Sequence, residues 1–152
     1  MAVGQVSSIS EDNWQLIQTN TTTSGTSSTF SGLSGYKAFM LACEFTSSSG
    51  YSSLKFNGST TYYGGVLTYG TGGMSERNAI YLTSGSGTGV FGTLLITNVL
   101  SVAPKPVTGS NGANTAGGNI NASWTGTDPI TSIVIASPGF TSGEIRLYGI
   151  AA

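Results

Sequence analysis

The sequence predicts an all-β fold, a sandwich or barrel of short strands. Three observations carry this. Apolar residues recur with period two in runs of five to ten. Turn residues interrupt these runs about every ten positions, the spacing of sandwiches and barrels. No stretch keeps a helical apolar period for a useful length.

Residues 1–13 read as an extended arm. Its segment "VGQVSSI" can pair with an exposed sheet edge, and Val3, Val6 and Ile9 alternate loosely enough to be its partner contacts. "SEDNW" has the makings of one capped turn, with Ser10 as cap and Glu11 and Asp12 in the first turn. The Thr-rich continuation would not sustain a helix. Trp14 is expected to anchor the arm on a single domain, residues 14–152.

That domain reads as ten strand-like runs: "WQLIQTN", "STFSGL", "YKAFMLACEF", "SSLKF", "TTYYGGVLTY", "NAIYLT", "FGTLLITNVL", "GNINASWTG", "ITSIVIAS" and "GEIRLYGI". In the third, Phe39, Leu41, Cys43 and Phe45 share one face, and Tyr36, Ala38, Met40, Ala42 and Glu44 share the other. Both faces are largely apolar, so a central strand covered on both sides is expected. Asn57-Gly58 is the strongest hairpin signal, because a type I′ turn needs positive φ at both central positions. Residues 103–118, "APKPVTGSNGANTAGG", open with two prolines and continue in Gly and Asn, which predicts the longest loop and a candidate contact surface. In "GEIRLYGI", Ile145 and Leu147 oppose Glu144, Arg146 and Tyr148, a strand with one buried face that completes a sheet near its edge.

With 152 residues the chain is one domain that needs no metal or disulfide staple. Charged residues make up 7%, far below the quarter typical of soluble domains, so Ser, Thr, Asn and Gly must furnish the polar surface. Weak like-charge repulsion lets many copies sit close together. Seven tyrosines, six phenylalanines and two tryptophans argue against disorder despite 23 glycines. The five cations are scattered singly, which gives no footprint for nucleic acid. No segment approaches the length of a membrane span, and "MAVGQVSSIS" lacks the basic start and apolar core of a signal peptide, so synthesis in the cytoplasm is expected.

Histidine is absent, which removes Ser-His-Asp and Cys-His catalysis and the commonest metal ligand; no cofactor is expected. Cys43 shares its strand face with Leu41 and Phe45 and reads as a buried, inert thiol. Gly87-Thr-Gly-Val-Phe-Gly92 matches the dinucleotide fingerprint in spelling. The residues after it are β-branched and strand-like, where that site needs a helix N-terminus. Glu44 and Glu144, or Asp128, would have to meet another carboxylate in space to cleave a glycoside. The remaining candidates are aromatic. Tyr62, Tyr63, Tyr69, Trp124 and Tyr148 would form either a platform for sugar rings, with Asn121 and Asp128 beside Trp124, or a subunit interface, which is the ordinary use of such residues.

The entry "TF" then "GL" then "YK", the "FNGS" turn and the closing "ITSIVIASPGFTSGEIRLYGI" resemble, in that order, a small β-domain of tailed-bacteriophage virion proteins: head decorations and head or tail fibres. The resemblance covers most of the chain from Trp14 onward. It implies an antiparallel jelly-roll-like sandwich that oligomerises, commonly as a homotrimer, and works structurally or adhesively on the virion. In fibres this domain ends a longer chain, whereas here about 13 residues precede it. That fits a capsid decoration or cement protein whose partner is the major capsid protein. The second expectation is a receptor-binding tip for host-surface glycan.

Overall fold

The computed structural model of the chain describes residues 13–59, 63–69, 72–74, 79–82, 89–112 and 117–152. Their strands are β1 (Gln15–Thr21), β2 (Ser27–Ser31), β3 (Tyr36–Ser47), β4 (Ser53–Phe56), β5 (Tyr63–Tyr69), β6 (Gly72–Met74), β7 (Ile80–Tyr81), β8 (Gly89–Ile96), β9 (Lys105–Gly112), β10 (Gly117–Trp124), β11 (Ser132–Ala136) and β12 (Phe140–Ala151). All pairings among them are antiparallel. One sheet runs β1-β12-β3-β8-β9-β10-β5-β6 and the other β2-β11-β4-β7.

The fold is a jelly roll with two insertions. Its pairs β1/β12, β2/β11, β3/β8 and β4/β7 are those of one long hairpin, and wrapping that hairpin yields 1-12-3-8 against 2-11-4-7. The segment β5–β6 is inserted between β4 and β7, and β9–β10 between β8 and β11. Both insertions join the larger sheet beyond β8. The final strand β12 lies one place in from the edge that β1 closes, as its one-sided pattern predicts.

The inner faces interleave into one core. Phe39, Leu41 and Phe45 of β3 and Ile145 and Leu147 of β12 are buried with Leu54 and Phe56 of β4 and Ile133 and Ile135 of β11. Phe45 meets Phe140 edge-on, with ring centroids 5.2 Å apart. Each such side chain contributes about 1.5–3 kcal/mol by leaving water.

Four expectations need correction. Residues 103–118 are not a long loop, because residues 105–112 form β9, paired on both sides by β8 and β10. Two neighbouring strands supply the order that Pro106 and Gly109 deny the segment by propensity. A Cβ at Gly109 would run into the Thr93 carbonyl, so the glycine that reads as loop permits this close pairing. Strand β8 stops at Ile96, and residues 97–104 are the true connection. Asn57 and Gly58 do take φ of 51° and 63°, and Ser59 N–H donates to Phe56 O at 2.8 Å, but the turn closes no hairpin. Strands β4 and β5, which flank it, lie in different sheets. Finally, β3 is central but covered on one side only: Met40 and Ala42 on its outer face are half-buried, whereas Leu41 and Cys43 are buried.

Burial pushes the Cys43 thiol up from 9.0 to about 12. The folded protein therefore keeps a proton that the unfolded chain releases, and stability falls as pH rises through this window. The expected slope is about 1.4 kcal/mol per pH unit above pH 9. Lys105 shifts in the opposite sense, so the difference between native protein and Cys43→Ala in urea titrations at pH 8 to 10.5 isolates the thiol. Equal slopes would mean that the thiol is hydrated in the fold.

Candidate functional site

Lys105 opens β9 on the same inward face as Val107 and is 0% exposed. Its Nζ donates to three backbone carbonyls: Ser101 O at 2.7 Å, Ala103 O at 3.3 Å and Gly126 O at 2.7 Å. An ammonium has three protons, so its donors are matched. The first two carbonyls lie on the β8–β9 loop and the third on the β10–β11 loop, which makes the side chain a clasp between them. Burial pushes the Lys105 pKa down and the charge of Asp128 pulls it up.

Trp124, at the end of β10, roofs this clasp. The ammonium stands 5.0 Å from its ring centroid, within cation–π range. The indole packs on Phe56 of the opposite sheet at 5.5 Å, and a Cβ at Gly126 would overlap it. A second clasp lies alongside. The Asn57 Oδ1 accepts from the backbone N–H groups of Thr131 and Ser132 at 2.8 and 3.1 Å, and its Nδ2 donates to Pro129 O at 2.8 Å. Ile130 N–H donates to Val99 O at 2.9 Å, joining the two loops directly. From this braced base the β8–β9 loop exposes Leu100 and Val102, the latter 77% accessible.

The outer face of the larger sheet carries the other distinctive feature. Register aligns Leu16 of β1 with Tyr148 of β12, Tyr148 with Met40 of β3, and Met40 with Leu95 of β8. These four form a continuous uncharged row, with Leu16 55% exposed and Leu95 also exposed. The row continues into Thr108 and Asn121. One face of an antiparallel sheet is ordinarily polar where it meets water, so an apolar row there is informative. Antiparallel pairing puts the start of β1, the end of β8 and the β8–β9 loop at one end of the sheet. Trp14, Leu16, Leu95, Leu100 and Val102, all exposed, therefore gather at that end.

Among the described residues, register brings Tyr63 and Trp124 of the predicted platform side by side, while Tyr69 and Tyr148 lie elsewhere. Trp124 is 2% exposed and part of the core, so neither a sugar nor a partner subunit can stack on it. Tyr63 stands opposite Trp124 and Tyr69 opposite Gly118, at the two ends of β5 and roughly 20 Å apart at strand rise. Tyr148 joins the apolar row instead. Tyr62 and the arm residues Val3, Val6 and Ile9 lie outside the described residues. Glu44 and Glu144 do meet, as direct partners across β3 and β12, but Arg146 engages the Glu144 carboxylate. Asn121 and Asp128 are exposed. Among the described residues no group of three or more His, Cys, Asp or Glu could hold a metal ion.

The clasp is absent from the sequence reading because Lys105 counts there as one scattered cation in a loop. Reading 105–111 with period two puts Lys105 on the face of Val107 and Asn111, which is the signal that would have found it.

Comparison of the chain with protein-family models, curated proteins and solved structures finds no match.

Proposed function

We propose that the chain is a non-enzymatic structural protein of a virion, a decoration or cement protein of a tailed-bacteriophage capsid that assembles as a homotrimer and stabilises the lattice. The observation that carries this is the uncharged row Leu16–Tyr148–Met40–Leu95 on an otherwise solvent-facing sheet. Such a row favours contact with another protein surface over water, because it is apolar and carries no charge of its own, the charges of this face, Arg146, Glu144 and Glu44, lying further along the strands. The jelly-roll strand order and the sequence resemblance support the same reading, with the major capsid protein as the lattice partner.

Copy number per purified particle, measured by quantitative mass spectrometry, tests the placement. Stoichiometry near that of the capsid subunit is expected. A handful of copies would replace this reading with a fibre that binds host glycan. Self-assembly is tested separately by native mass spectrometry: Leu95→Glu should weaken subunit association at least tenfold while the β-sheet circular dichroism signal is retained. Unchanged association would remove the row from the interface.

A further inference from the structure

The sequence holds two Asn-Gly pairs, Asn57-Gly58 and Asn111-Gly112. In such a pair the side-chain carboxamide is followed by a backbone amide that no Cβ shields, the arrangement in which asparagine closes on its own main chain. The glycine nitrogen gives up its proton to hydroxide and attacks Cγ; the Cγ–Nδ2 bond breaks, and Nδ2 leaves as ammonia with a proton from water. Water then opens the succinimide ring at either carbonyl, giving aspartate or its isoaspartyl isomer. One water is taken up for each ammonia released. We infer that Asn57 is the ageing site of this chain: it deamidates from the opened form of its clasp on residues 129–132, and the acid so formed cannot close that clasp again.

Residue 57 is held by both its backbone and its side chain. Its N–H donates to Ser132 O at 3.0 Å, its Oδ1 accepts from the N–H groups of Thr131 and Ser132 at 2.8 and 3.1 Å, and its Nδ2 donates to Pro129 O at 2.8 Å. These bonds fix the carboxamide against another loop, whereas attack needs Cγ and the Gly58 nitrogen to meet at about 3–3.5 Å with the carbonyl face turned to the nitrogen. They also keep Nδ2 on an acceptor. The leaving nitrogen needs a proton, and Pro129 O has none to give. Opening the clasp frees a competent pair, because Asn57 is half-buried, Gly58 is exposed to water, and both lie in the turn after β4.

Asn111 has the same neighbour in a different setting. It is buried in β9, which β8 and β10 pair on both sides, so its carboxamide is freed only when two ladders part. Local opening therefore selects Asn57. Aspartate at residue 57 still accepts from Thr131 and Ser132, but it has no Nδ2 proton for Pro129 O and sets an oxygen against that carbonyl. The isoaspartyl form adds a carbon to the main chain inside a turn whose φ values are 51° and 63°. Each event loosens the tie between the end of β4 and the start of β11 for good.

Peptide mapping by mass spectrometry after incubation at mildly alkaline pH tests this, with the native protein beside the same protein in concentrated urea. In urea the two pairs should deamidate at comparable rates. Folding should slow Asn57 at least tenfold and Asn111 further, so that the native protein accumulates aspartate and isoaspartate at residue 57 first. Equal rates at residue 57 in buffer and in urea would mean that the clasp gives no protection, and would overturn the inference. Modification of Asn111 ahead of Asn57 would overturn it too. The one-way step is read from Asn57→Asp, whose urea midpoint near neutral pH should fall below that of the native protein. An unchanged midpoint would show that the clasp closes on the acid and would overturn that step.

Discussion

Lys105→Ala should destabilise the fold by about 3–5 kcal/mol, measured from the urea or guanidinium midpoint. The substitution withdraws three donors at once and leaves Ser101 O, Ala103 O and Gly126 O facing a space that had held an ammonium. It also removes the cation over Trp124 and the packing of the aliphatic stem. Lys105→Met separates these parts, since it restores most of the stem without the donors and should recover only a fraction of the loss. Equal stability of Lys105→Met and the native protein would show that the carbonyls find water as readily as the ammonium. Amide exchange should localise the damage. Ser101, whose N–H closes the β8–β9 loop on Asn98 O, and Ile130, whose N–H ties the two loops, should lose protection before the amides of β3 do.

Trp124→Ala should cost a similar amount, about 3–5 kcal/mol, by emptying the space between β10 and Phe56. That outcome distinguishes a core residue from a binding residue: a sugar platform would lose ligand and keep its stability. Trp124→Phe should be far milder. It retains a ring against Phe56, and the indole Nε1 that it deletes is buried without a hydrogen-bond partner, so no bond is broken. At roughly 2–4 °C per kcal/mol for a chain of this size, the two variants should be cleanly separated in a thermal melt. A Trp124→Ala protein as stable as the native one would put the indole outside the core.

Strand boundaries were most legible where one face is apolar and the other polar. The alternation of Ile145 and Leu147 with Glu144, Arg146 and Tyr148 gives the face that each residue of β12 takes before its partner strands are known, since the side-chain period is two. Residues 105–112 were illegible for the converse reason. Their proline, glycines and small polar residues carry no strand propensity, and the order comes from β8 and β10 on either side. The Asn57-Gly58 turn was correct as local geometry and misleading as topology. Positive φ is a property of those two residues, whereas which strands pair is decided by residues far away in the chain.

Composition and periodicity by themselves determined that this protein is all-β, that Cys43 is buried, and that β3 is central with two apolar faces. Each is a statement about which side of a strand avoids water, and that information is local. Only the tertiary structure decided the jelly-roll order with its two inserted segments, the burial of Trp124 and the three-carbonyl clasp of Lys105. These depend on groups more than twenty residues apart arriving at one place: Gly126 beside Lys105, Phe56 beneath Trp124. The second apolar face of β3 joins the two levels. Its residues show in the sequence that water should be excluded from both sides, and the fold of a single chain covers only one.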